Sequence, residues 1–154
     1  MSMVKTLKQS WSLLSQRTLG KWLFSKAIGK MIPYSGSISP QVLEVAPGRA
    51  TVRMRDKKLL RNHLSSFHAL ALSNLGELTT GLALHFALSD NSRAILVKLE
   101  TDFLKKARGT ITARSQTTLP KNFKKRRQTV EAQLFDEKED LVAVVKALWL
   151  VEQK

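Results

Sequence analysis

Apolar and polar residues repeat along this chain with two different periods, and each change of period marks a change of element. Over residues 5–31, Leu7, Trp11, Leu14, Trp22 and Ile28 fall to one side at helical spacing and lysines to the other. This predicts one or two amphipathic helical pieces, weakened at Gly20 and Gly29. Pro33, Gly36 and Pro40 then interrupt the pattern. Short strands are expected over 41–46 and 49–55, joined by a turn at Pro47-Gly48, because Ala50, Val52 and Met54 alternate with Arg49, Thr51, Arg53 and Arg55.

Residues 61–88, RNHLSSFHALALSNLGELTTGLALHFAL, predict a long apolar helix that ends near Ser89-Asp90-Asn91. Period two returns after it. Ile95, Val97, Leu99, Thr101 and Phe103 are expected on one strand face, with Lys98, Glu100 and Asp102 on the other. Gly109 turns the chain into TITARSQTT, and QTVEAQLF alternates again. Residues 141–151 are apolar on both faces, which fits a central or doubly covered strand, while periodicity alone also allows a buried helix. The order of elements is that of an α+β domain: an antiparallel sheet with one dominant buried helix.

Composition narrows this further. A chain of 154 residues suits one domain with a real core. It has no run of about 18 uninterrupted apolar residues, the length a membrane span needs, and its basic start lacks the apolar stretch of a signal peptide. With no cysteine there is no disulfide, thiolate nucleophile or cysteine-metal site, and a cytoplasmic location is expected. No phosphate-cradling glycine loop, HExxH or GxSxG occurs, so neither a cofactor nor a metal is expected.

The net charge of +14 raises the question of nucleic acid. The charge is gathered in separate clusters: Arg53 to Arg61, then Lys105, Lys106 and Arg108, then KNFKKRR at 121–127. Aromatic residues do not interleave with them as a stacking platform requires, so no specific nucleic acid is expected as a partner. An amphipathic basic helix at the start could also lie on a membrane surface.

The apolar helix carries the candidate chemistry. Asn62, His63, His68, Asn74 and Glu77 stand at its start and in its middle, where core filling alone does not call for them. First-turn N–H groups have no internal acceptor and lie at the positive end of the helix dipole, so an amide near Ala69 can receive a developing oxyanion. Among Leu75, Leu78 and Leu82, Glu77 is desolvated, which raises its pKa towards that of a poised base. Asn74 and Gly81 share its face, one polar and one leaving room, as a pocket wall. There are plainer readings: Glu77 as a solvated helix carboxylate, His68 as a satisfied polar residue at the helix start, and Asn62 as a cap.

Asn62, then His68 six residues later, then Glu77 nine residues after that, on an apolar helix followed by LETDFLKKARGTITARS, resembles the hotdog-fold acyl-CoA thioesterases, nearest the phenylacetate-pathway type. The resemblance covers about residues 33–151. It implies a curled antiparallel sheet wrapped around one central helix, with an N-terminal helical segment at 1–32 outside the hotdog domain at 33–154. It also implies a homodimer or a dimer of dimers whose pockets are built from both chains. Hydrolysis of an acyl-CoA or acyl-carrier thioester would use Glu77 as base or nucleophile, the Ala69 amide as oxyanion donor, and Asn62 and His68 to orient the substrate. Lys105, Lys106, Arg108 and the 121–127 loop would meet its phosphates. The family reads His-Gly-Gly where this chain has His68-Ala69-Leu70, and no polar residue matches on the next strand at Ile95, Leu96 and Val97. A catalytically silent acyl-ligand binder and a basic surface module are the alternatives.

Overall fold

The computed structural model describes residues 3–120 and 123–153. Helices α1 (Met3–Leu14), α2 (Thr18–Met31) and the single turn α3 (Pro33–Gly36) lead into the hairpin β1 (Gln41–Ala46) and β2 (Arg49–Met54). A long helix, α4 (Ala69–Ala87), follows, and then β3 (Ser92–Phe103), β4 (Ile111–Gln116), β5 (Lys125–Phe135) and β6 (Leu141–Gln153). The six strands form one sheet in the order β1-β2-β4-β5-β6-β3, every neighbouring pair antiparallel. Helix α4 touches all six, so the sheet wraps around it without closing. This is the hotdog arrangement.

The helix is apolar nearly all round because strands surround most of it. Leu75, Ala83 and Leu84 are fully buried, and burial of a leucine side chain stabilises the fold by roughly 1.5–3 kcal/mol. Closest approach is at Gly76, where any Cβ would collide with the side chain of Val145 on β6. The buried hydroxyls of Thr79 and Thr80 donate back to the carbonyls of Leu75 (2.7 Å) and Glu77 (2.8 Å), so neither is left unpaired.

The N-terminal helices join the same core. Leu7, Trp11, Phe24 and Ile28 pack together with strand and α4 residues, and Trp11 meets Phe24 edge-on at 4.9 Å between ring centres. The Ser25 hydroxyl accepts from the Val42 N–H (2.8 Å) while donating to the Lys21 carbonyl (2.7 Å), pinning α2 to β1. Trp22, expected on the inward side, is instead half exposed. The break between α1 and α2 resets the helical phase, and Phe24 takes the inward position.

Three further expectations need correction. The helix predicted from residue 61 begins at Ala69; Arg61 and Phe67 instead form an isolated β-bridge, and the turn between them is shaped by the Asn62 side chain. Strand β3 does not keep one alternation throughout. A bulge between Leu96 and Lys98 shifts the register, so Ala94 and Leu96 face the core before it and Thr101 faces α4 after it, while Ile95 points outward. Strand β6 is central, flanked by β5 and β3, which meets one of the two expected alternatives, while Val144, Leu148 and Leu150 are half-buried on its outer side. Of the 121–127 cluster, Lys121 and Asn122 lie outside the described residues, and 125–127 belong to β5, not to a loop.

Candidate active site on the central helix

The start of α4 is fixed from outside the helix. The Phe67 N–H donates to the Ala107 carbonyl (2.9 Å) and the His68 N–H to the Leu60 carbonyl (2.8 Å), which holds the residue before the helix in extended backbone. His68 is the N-cap. Its Nδ1 accepts from the Leu70 N–H at 3.1 Å, and its own carbonyl accepts from Ala71 and Leu72. Three of the four first-turn amides are thereby engaged. Among the described residues, the Ala69 N–H has no acceptor.

Ala69 itself borders a cavity of about 350 Å³. Asn62, Ala69, Leu72, Phe103, Lys105 and Lys106 line it, so four of the residues singled out from the sequence come together there. Their side chains differ in availability. Asn62 is committed to its own turn: its Oδ1 accepts from the N–H groups of Leu64 (2.9 Å) and Ser66 (3.3 Å), and its Nδ2 donates to the Phe67 carbonyl (3.4 Å). Lys105 is ion-paired with Asp136 (3.3 Å) and Asp140, which raises its pKa through hydrogen bonding to those carboxylates. Arg108 donates to the Leu64 and Ser65 carbonyls (3.3 Å each) and closes the same turn from below. Lys106 is exposed and has no hydrogen bond or ion pair among the described residues.

Glu77 lies two turns further along α4, on a stripe with Ser73, Gly81 and His85 that follows the β3 and β6 side of the sheet. The Ser73 and Thr101 hydroxyls meet at 2.9 Å, and Trp149 of β6 packs over Gly81 and meets His85 edge-on at 5.9 Å. Glu77 is half-buried between these contacts. Desolvation raises its pKa above the ordinary value, and among the described residues nothing pairs with its carboxylate. A partly desolvated carboxylate without a partner is disfavoured in its charged form, a pattern that marks candidate sites.

Asn74, on the neighbouring face, is buried; its Nδ2 donates to the Tyr34 carbonyl (3.2 Å) and, among the described residues, its Oδ1 has no partner. Burial pushes the His85 imidazole down to about 4, with the charge of Lys8 adding to it. Thr101, Phe103 and Trp149, which wall these places, were not singled out in the sequence. The Thr101 signal, a hydroxyl breaking an apolar alternation, was present but carries no specificity by itself.

The model of a family described as a domain of unknown function, DUF4442, matches residues 20–151. The chain belongs to that family. No curated protein matches it. Among solved structures, the genomics protein APC5556 superposes with a TM-score of 0.84 at 26% identity, over 97% of this chain and 99% of its own. PA5026 from Pseudomonas aeruginosa, a protein of unknown function described as "Probable Thioesterase", reaches 0.75 at 22% identity over 84% of this chain and 93% of its own. A mutant of the phenylacetic acid degradation protein PaaI from Thermus thermophilus reaches 0.65 at 20% identity over 77% and 97%. These likenesses establish the hotdog fold of this DUF4442 member. Among the described residues, no helix is long and apolar enough to cross a membrane.

Proposed function

We propose that this protein hydrolyses an acyl thioester, with Glu77 as base or nucleophile and the Ala69 N–H as oxyanion donor. The observation that carries the reading is the pairing of resources on α4: a half-buried carboxylate with no partner, its pKa raised by desolvation, and one first-turn amide with no acceptor. Acyl transfer to water needs both groups. In the simplest course Glu77 takes a proton from water as the water attacks the thioester carbon. The tetrahedral oxyanion rests on the Ala69 amide, and its collapse expels the thiolate, which takes the proton back from Glu77.

Two copies of the chain build each site in this reading. About 12 Å of helix separates the backbones of Ala69 and Glu77 at ~1.5 Å per residue, a gap that a second chain would shorten. A second protomer set against the open edge of β3 supplies the missing half, as a homodimer or a dimer of dimers. Acyl-CoA or an acyl-carrier thioester is the substrate class, with the free ammonium of Lys106 beside the cavity available to a phosphate and Lys105 and Arg108 holding the structure around it.

A second reading, a ligand carrier that does not hydrolyse, draws on the engagement of the Asn62 Oδ1 and the His68 Nδ1 with backbone N–H groups, which gives both side chains a structural task. Thiol release from a panel of acyl-CoA esters of graded chain length separates the two. Turnover that falls by about 10²-fold or more in Glu77→Gln supports hydrolysis. Binding without turnover across the panel supports the carrier.

A further inference from the structure

Helix α2 presents an exposed crest that neither the core nor the thioester site uses. Leu19, Trp22 and Leu23 stand on it at 67%, 50% and 45% exposure, and Leu13 at the end of α1 adds a fourth apolar side chain at 79%. A depression flanks the crest on each side. One is an apolar groove between the two helices, where Leu13, Leu14, Leu19 and Leu23 meet Arg17. The other is a cavity of about 300 Å³ under Trp22, lined by Lys26 of α2 and by Arg55 and Lys57 beyond β2.

The second cavity is cationic without compensation. No acidic side chain lines it, and among the described residues Lys26, Arg55 and Lys57 form no ion pair. Lys26 lies over the Trp22 ring at 5.7 Å, so the indole is shared by the apolar crest and the basic hollow. Such a surface has two unmet needs side by side. Exposed leucines and a tryptophan gain by leaving water, and the three cations gain from an anion. An anionic amphiphile satisfies both at once: its phosphate enters the hollow while its apolar part receives the crest. Trp and Leu beside Lys and Arg is also the composition of interfacial helices, and the net charge of +14 favours approach to an anionic surface over long range.

We propose that the α1–α2 face is a docking surface for anionic phospholipid membranes, with Leu13, Leu19, Trp22 and Leu23 entering the headgroup boundary and Lys26, Arg55 and Lys57 gathered on a lipid phosphate. The protein then lies on the bilayer and does not span it.

Vesicle sedimentation with the full chain tests this. Vesicles of phosphatidylcholine mixed with phosphatidylglycerol should bind the protein, and phosphatidylcholine alone should bind it at least tenfold more weakly. Reversing Lys26, Arg55 and Lys57 to Glu together should weaken binding by roughly a hundredfold, since each basic residue near the surface contributes about fivefold. Leu19→Ser with Leu23→Ser should abolish binding while leaving the melting temperature unchanged, because both side chains are exposed in the fold. Trp22 is the exposed indole of the three, so a blue shift of fluorescence on anionic vesicles should vanish in Trp22→Phe. Three results overturn the proposal: equal binding to neutral and anionic vesicles; glycerophosphate displacing the protein at concentrations that mark a small-anion site; or no binding of the parent protein to anionic vesicles. These readouts do not involve thioester hydrolysis and stand or fall separately from it.

Discussion

Ala69 and Glu77 lie on one helix eight residues apart, which sets their backbones about 12 Å apart along its axis. A hydrogen-bond donor must come within about 3 Å of the oxyanion, and a base within about 3 Å of the attacking water. In the proposed two-chain site, a second copy brings its helix start opposite Glu77.

The Ala69 amide can be removed without disturbing the helix. Proline is favoured at the first helical position, where its missing N–H is not needed, and His68 already has the extended backbone that a following proline demands. Ala69→Pro should therefore keep the melting temperature within a degree or two while lowering kcat/KM about 10²- to 10³-fold. Steady-state thiol release beside a thermal melt checks both halves. Full activity in this variant would remove the amide from the mechanism.

Glu77 carries a cost that stability measurements can read. Its pKa is raised in the fold by desolvation, so the folded state holds its proton more tightly than the unfolded chain does. Stability linked to this group is complete below the ordinary value of 4.5 and is lost as pH rises through the raised pKa. Glu77→Gln should melt above the parent at neutral pH, and the gap should close as pH falls below 4.5. Melting curves from pH 4 to 8 provide the test; a Gln variant that is less stable at pH 7 would mean that the carboxylate has a structural partner.

His85 predicts the opposite slope. Burial lowers its pKa from 6.5 to about 4, so the unfolded chain binds the proton first and stability falls as pH drops from 6.5 towards 4. The full effect is roughly 3 kcal/mol. His85→Phe keeps a ring against Trp149 and should flatten this acid limb in urea titrations. An unchanged limb would place the lost protons elsewhere.

Much of the fold was legible because its signals are local. Alternation in β2 gave its inward Ala50, Val52 and Met54, and the turn residues Pro47-Gly48 gave the hairpin. What failed depended on contacts between distant segments. The helix start moved from 61 to 69 because the Leu60 and Ala107 carbonyls take the N–H groups of His68 and Phe67, a tie that no window of sequence contains. The bulge in β3 is set by its pairing with β6, so Leu96 and Leu99 do not alternate as a regular strand would have them. At the site, Glu77 and Ala69 stood out as types of residue at special places. That Lys105 is tied to Asp136 and Asp140, from a turn 31 to 35 residues away, could not be read from its cluster of positive charge.

In the proposed mechanism each site pairs Glu77 of one chain with the Ala69 amide of another, and mixed dimers measure this directly. Glu77→Gln and Ala69→Pro, coexpressed with different affinity tags and purified through both, give a dimer in which one site carries both lesions and the other carries none. Each parent variant should be nearly inactive in thiol release from the best acyl-CoA substrate. The mixed dimer should recover about half of the wild-type rate, one intact site of two in a symmetric pair. A mixed dimer as inactive as its parents would contradict the two-chain site, and a Glu77→Gln parent with full turnover would contradict the role of the carboxylate.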